Sequence, residues 1–194
     1  PVHIAKLCVD LINDVPDGGA TPQIIVGLLM EAANKDRKNN VVVSGHRDSV
    51  STTNTTSKKP GDILEQINET AQLIYEITTK KFTEDRLIES HDAVMEFNPD
   101  VKDVFVICRP QDVPEKLGNT PTSYIMAKTQ YRELAYYFIN IYDYIQSAIL
   151  FLTPGGRKFF YTELMAYVNH TNTSEKVKKY FVKYNNGDSV VHWD

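Results

Sequence analysis

Cysteine and tryptophan are scarce in this chain: two Cys and one Trp stand among 194 residues. Cys8 and Cys108 are 100 residues apart, and neither has a second Cys or a His at zinc-ligand spacing. A disulfide scaffold and a zinc module drop out of the reading. What remains is two small apolar thiols, suited to a reducing compartment, cytoplasmic or otherwise intracellular, or to a virion.

A basic excess is also lacking. Lys and Arg number 21 against 25 Asp and Glu, a formal net charge of −4. That argues against a protein dedicated to coating DNA, while leaving local basic patches open. No basic-then-apolar leader opens the chain. Its first residue is Pro, as in a processed or excised piece, or a chain that has lost its initiator Met. There is no internal repeat and no P-loop spacing. The length suits a single domain that hides about 70% of its unfolded surface and needs no metal or disulfide to fold.

What is present is helical periodicity. Ile4, Leu7, Cys8, Leu11 and Ile12 predict an amphipathic helix over 3–13. Thr21-Pro22 reads as a capped start for a second, running to about Asp36. Val41 to Val43 suits a short strand, and the polar stretch 51–61 a mobile loop. Asp62 with Glu65 resembles a capping box, and Ile63, Ile67, Leu73, Ile74 and Ile77 continue in helical phase to about Lys80. Thr83 caps a helix carrying Leu87, His91 and Val94, and Asp103–Cys108 (DVFVIC) is the strongest strand signal. A helix follows the turn at 153–158, and Ser174 opens a last one to Tyr184. The tail DSVVHWD suits a short strand or a docked Trp193.

From Thr122 to Thr153 there is neither Pro nor Gly. Tyr124, Tyr131, Phe138, Ile145 and Leu152 recur every seven residues, with Ala127, Leu134, Ile141 and Ala148 three later. Asn140, Asp143, Gln146 and Ser147 exclude a membrane span here. The pattern predicts a long central helix, with Tyr131, Phe138 and Ile145 on a seam available for self-association.

Three patterns bear on chemistry. Thr153-Pro154-Gly155-Gly156-Arg157-Lys158 opens a helix with two glycines and two cations, a place for an anion or a plain turn. The last helix sets Lys176, Lys178, Lys179 and Lys183 among Tyr180, Phe181 and Tyr184. Such a face can lie on nucleic acid or an acidic partner, or simply in water. Glu89, His91, Asp92, Glu96 and Asp100 form an acidic group suggestive of a divalent-ion nuclease. The DVFVIC strand beside it, however, is not followed by an acidic-x-Lys pair. No catalytic residue, metal ligand or cofactor follows from these patterns.

The expectation is therefore a predominantly α single domain over 1–194: six to eight helices around a long central helix, with two or three short strands. Without a catalytic constellation, the leading function is a non-enzymatic, self-assembling homo-oligomer, a viral capsid or nucleocapsid type of subunit. The six residues GGATPQ (18–23) resemble turn-plus-helix starts of retroviral capsid domains, and no residue role is carried over from them. The alternatives are a nucleic-acid or acidic-partner module built on Arg157, Lys158 and the C-terminal lysines, and a metal-dependent nuclease around Glu89, Asp92 and Asp100.

Overall fold

Asn68 and Glu69 both hold positive φ, 50° and 65°. That pair makes a tight two-residue turn of the kind that joins antiparallel strands, with Asn tolerating the left-handed region. The helix expected over 62–80 is consequently a hairpin, and the fold class changes with it. The computed structural model describes residues 1–47, 59–114 and 122–186. Most of the 51–61 loop and the whole DSVVHWD tail lie outside the described residues.

The chain order is α1 (Val2–Asp14), α2 (Ala20–Arg37), β1 (Val42–Ser44), β2 (Ile63–Ile67), β3 (Thr70–Thr78), α3 (Glu84–Phe97), β4 (Asp103–Cys108), β5 (Ile125–Tyr131), β6 (Leu134–Asn140), α4 (Ile141–Phe151), α5 (Pro154–Val168) and α6 (Glu175–Asn186). The strands form one mixed sheet in the order β1-β2-β3-β4-β6-β5. β3 and β4 pair in parallel, as do β4 and β6, while the outer pairs are antiparallel. The protein is thus mixed α/β, and the predominantly α reading is corrected: six helices are described, but they cover a sheet rather than surround a central helix.

The seven-residue pattern over 124–152 dissolves in the same way. Residues 125–131 and 134–140 form the β5–β6 hairpin, turned at Arg132 with φ of 50°. Only Ile141–Phe151 is helical. The β-branched and aromatic run Tyr136-Tyr137-Phe138-Ile139 suits a strand buried on both faces, which has no strict alternation to betray it.

Side chains from alternate strand positions fill two cores. Ile63, Ile77, Ile107 and Ile139 join α1, α2, α4, α5 and α6 on one face. Leu64, Ile74, Val104, Val106 and Phe138 meet Phe82 and Val94, beside and on α3, on the other. Among the described residues no helix is long and apolar enough to cross a membrane.

Candidate active site

In the register of the β2–β3 ladder, Ile63 lies opposite Tyr75 and Leu64 opposite Ile74. The ladder ends at Ile63; just before it, Asp62 lies close enough for its charge to act on Glu76, which projects toward α3. Asp62 is fixed by backbone geometry. Asp62 N–H donates to Tyr75 O at 2.9 Å, and Ile77 N–H donates to Asp62 Oδ2 at 2.8 Å. The Asp62 side chain thereby serves the amide that the end of β2 would otherwise leave without a partner.

The surroundings hold Asp62 from behind. Gln23 Nε2 of α2 donates to the carbonyls of Gly45 and Asp62, at 3.1 and 3.2 Å. Gly45 has φ of 93°, and a Cβ there would sit 2.3 Å from Asp62 O. Gly61 is equally constrained, since its Cβ would meet Ile74 Cγ2 at 2.7 Å. Both glycines are needed for close backbone approach around the carboxylate.

Burial raises the Asp62 pKa, opposed by the Ile77 hydrogen bond and the Arg86 charge. Glu76 is raised as well, first by burial and then by Asp62; Arg86 and Ser90 oppose this, while the exposed Glu89 adds to it. Arg86, from the first turn of α3, donates through Nη1 to Thr78 Oγ1 at 2.7 Å, and its Nη2 lies 3.6 Å from Glu76 Oε2. Thr78 is two residues beyond Glu76, hence on the same face of β3. Ser90 Oγ of α3 and the Tyr136 hydroxyl of β6 are buried beside Glu76, and the Ser90 hydroxyl interacts with both Glu76 and Tyr136.

This arrangement fits a hard divalent cation. Mg²⁺ and Mn²⁺ take oxygen ligands, and Mg²⁺ typically uses one or two protein carboxylates with water and substrate phosphate completing the shell. Among the described residues no three His, Cys, Asp or Glu side chains cluster as a self-sufficient metal cage. Two carboxylates are what the site offers.

The residues singled out from sequence fare differently. Of Glu89, Asp92 and Asp100, only Glu89 lies near the pair; Asp92 instead binds His91 Nδ1 at 3.0 Å, and Asp100 is exposed in the turn before β4. His91 Nε2 meets Glu133 at 3.0 Å and its ring packs edge-on against Tyr131, so this histidine is a satisfied buried group. The helix start at 153–158 already holds an anion of its own: Asp36 accepts from Thr153 N and Oγ1, both at 2.8 Å. Arg157 donates to Leu152 O, closing α4, and Lys158 is exposed. On α6, Val177 and Phe181 are buried, Lys178 pairs with Glu175 at 3.2 Å, and Lys176, Lys179 and Lys183 are exposed. That helix belongs to the layer opposite the carboxylate pair. Phe138 and Ile145 are both fully buried in the chain's own cores, Phe138 on the α3 side and Ile145 on the other; Tyr131 closes β5 and packs at the edge of the α3-side core.

A cleft of about 600 Å³ opens on the α2–α4 side, lined among others by Asn34, Glu65, Tyr75 and Tyr144. Its two carboxylates are satisfied internally: Glu65 accepts from Asn34 Nδ2 and Tyr75 OH, both at 2.7 Å, and Asp36 from Thr153.

Asp62 and Glu76 escaped sequence reading because a helix over 62–80 makes Asp62 a cap and scatters Glu76 onto another face. The available signals were the Asn68 turn and the β-branched run Ile77-Thr78-Thr79, which together favour a hairpin that brings the two acids close to each other. No family model matches the chain, and no curated protein matches it significantly.

Proposed function

We propose that this chain is a divalent-cation-dependent phosphodiesterase acting on nucleic acid, with Asp62 and Glu76 as the cation's protein ligands. The observation that supports it most is the proximity of two carboxyl groups whose pKa values are both raised, first by burial. Groups perturbed in this way are candidates for a functional site.

Bound there, a divalent ion would polarise a phosphoryl oxygen and supply a nucleophilic water near neutral pH. The chain's own groups do the rest. Ile77 N–H holds the Asp62 carboxylate in one orientation. Ser90, through its hydroxyl, holds Glu76 from α3. In sequence Lys59 precedes Asp62, and Lys80 and Lys81 follow Thr78, with Glu84 and Asp85 next on α3.

The test is cleavage of supercoiled plasmid, single-stranded DNA and RNA, each with Mg²⁺, with Mn²⁺ and with EDTA. Cleavage that needs the cation and falls about 100-fold or more in Asp62→Asn and Glu76→Gln is the expected result. Cleavage indifferent to both substitutions, or none on any of the three substrates, overturns the proposal.

A further inference from the structure

We propose that the cleft between α2, α4 and the sheet is a binding site for a small organic ammonium ion, with Glu65 opposite the ligand's charge and Tyr75, Tyr124, Tyr144 and Phe151 around its body. Tyr75 and Glu76 are consecutive on β3 and project to opposite faces, so this cleft is separate from the carboxylate pair. The proposal does not rest on the phosphodiesterase reading. Its support is space, charge and hydrogen-bonding capacity in one place.

The cleft measures about 600 Å³, within the range of small-molecule sites. Leu29 and Met30 of α2 and Ala148 of α4 give it apolar wall. Four aromatic side chains line it as well: Tyr75 from β3, Tyr124 just before β5, and Tyr144 and Phe151 from α4. Phe151 is 80% exposed, so its ring is available to a ligand.

Glu65 supplies the charge. Its two hydrogen bonds come from neutral donors, Asn34 Nδ2 and Tyr75 OH. No Lys, Arg or His among the described residues forms an ion pair with it. Neutral donors occupy its oxygens but leave its negative charge unbalanced. The other acid of the cleft, Asp36, is already engaged by Thr153 at the start of α5. Aromatic rings beside an unbalanced carboxylate suit a cation, because the ring faces are negative too. The Tyr124 and Tyr144 hydroxyls have no hydrogen-bond partner among the described residues, and their oxygens can accept from an ammonium N–H.

Arg37 is the competing charge. It also lines the cleft, but it is exposed at the end of α2, where solvent and salt screen it. Glu65 is half-buried on β2. The inner charge therefore sets the sign of the ligand.

The experiment is calorimetry on the full chain with phenethylammonium and with 3-phenylpropionate, an anion of similar shape. Phenethylammonium is expected to bind with a dissociation constant of about 1 mM or tighter, and the anion about tenfold or more weakly than that. Glu65→Gln keeps an acceptor for Asn34 or Tyr75 and is expected to weaken the cation about tenfold. Tyr124→Leu, at a position 37% exposed and so open to substitution, is expected to weaken it about threefold. Arg37→Gln removes the competing charge and is expected to tighten it about twofold, an effect a merely structural arginine would not have. Failure of phenethylammonium to bind overturns the proposal, and so does an anion that binds as well or better. Wild-type affinity in a folded Glu65→Gln also overturns it. Should Glu65→Gln fold poorly, the comparison of cation with anion and the Tyr124→Leu variant decide the matter.

Discussion

The amide of Ile77 donates a 2.8 Å hydrogen bond to Asp62 Oδ2, from a strand that Asp62 itself is about to join. Fifteen residues apart in sequence, the two are locked, and Glu76, one residue before Ile77, lies within reach of the Asp62 charge. From this relationship come the site's charge, its burial and the predictions that follow.

Removing one charge should stabilise the apo protein. The Glu76 pKa is raised, mainly by burial, so the folded state binds more protons than the unfolded one above the ordinary glutamate range, and stability falls as pH rises through that window. Glu76→Gln has no such loss. It is expected to exceed the wild type by on the order of 1–2 kcal/mol near pH 8, the gap closing toward about pH 4, in urea melts across that range.

The same raised pKa makes cation binding proton-linked. Binding requires both carboxylates ionised, so protons leave as the ion enters. Mn²⁺ affinity measured by calorimetry should strengthen steadily from about pH 6 to about pH 8, and the heat should scale with buffer ionisation enthalpy. A flat profile would place the ion elsewhere.

Gly45→Ala tests the support behind Asp62. The site needs φ of 93°, and the new Cβ would be 2.3 Å from Asp62 O. About 1–3 kcal/mol of stability should be lost in thermal or urea melts. Mn²⁺ affinity should fall with it, because the backbone that must yield belongs to a proposed ligand.

His91 predicts a separate pH effect. Burial opposes its protonation, but hydrogen bonds to Glu133 and Asp92 outweigh that, and its pKa is raised. A group raised in the folded state adds stability that is full below its unfolded pKa, about 6.5, and is lost as pH rises through the folded value. The stability gap between wild type and His91→Gln should therefore be wider at about pH 6 than at about pH 8.5.

Phe138→Ala separates a core role from a seam between copies. Phe138 is fully buried and packs edge-on against Phe82 at 5.5 Å. Truncation should cost about 3–5 kcal/mol in denaturant melts, independent of protein concentration. The mass by light scattering should not change. A concentration-dependent loss would return the residue to an interface.

Much of the secondary structure was legible along the chain, and the site was not. The helices α1, α2, α3, α5 and α6 and the strands β1 and β4 declare themselves through local features: 3.6-residue spacing, Thr83 and Thr153 as caps, and the run DVFVIC. These depend on a few consecutive residues, so sequence alone determines them. Ile63–Ile77 and Tyr124–Leu152 happen to satisfy helical spacing too; within the second, Leu134–Asn140 is a strand buried on both faces, with apolar residues at nearly every position and so at helical intervals as well. Local pattern could not choose there. The choice was made by tertiary pairing: left-handed turns at Asn68 and Arg132 fold each segment back on itself, and parallel neighbours on β4 complete the backbone hydrogen bonds of β3 and β6. Only that pairing, which no short window of sequence contains, brings Asp62, Glu76, Arg86, Ser90 and Tyr136 together, so this grouping was decided by the sheet rather than by any motif.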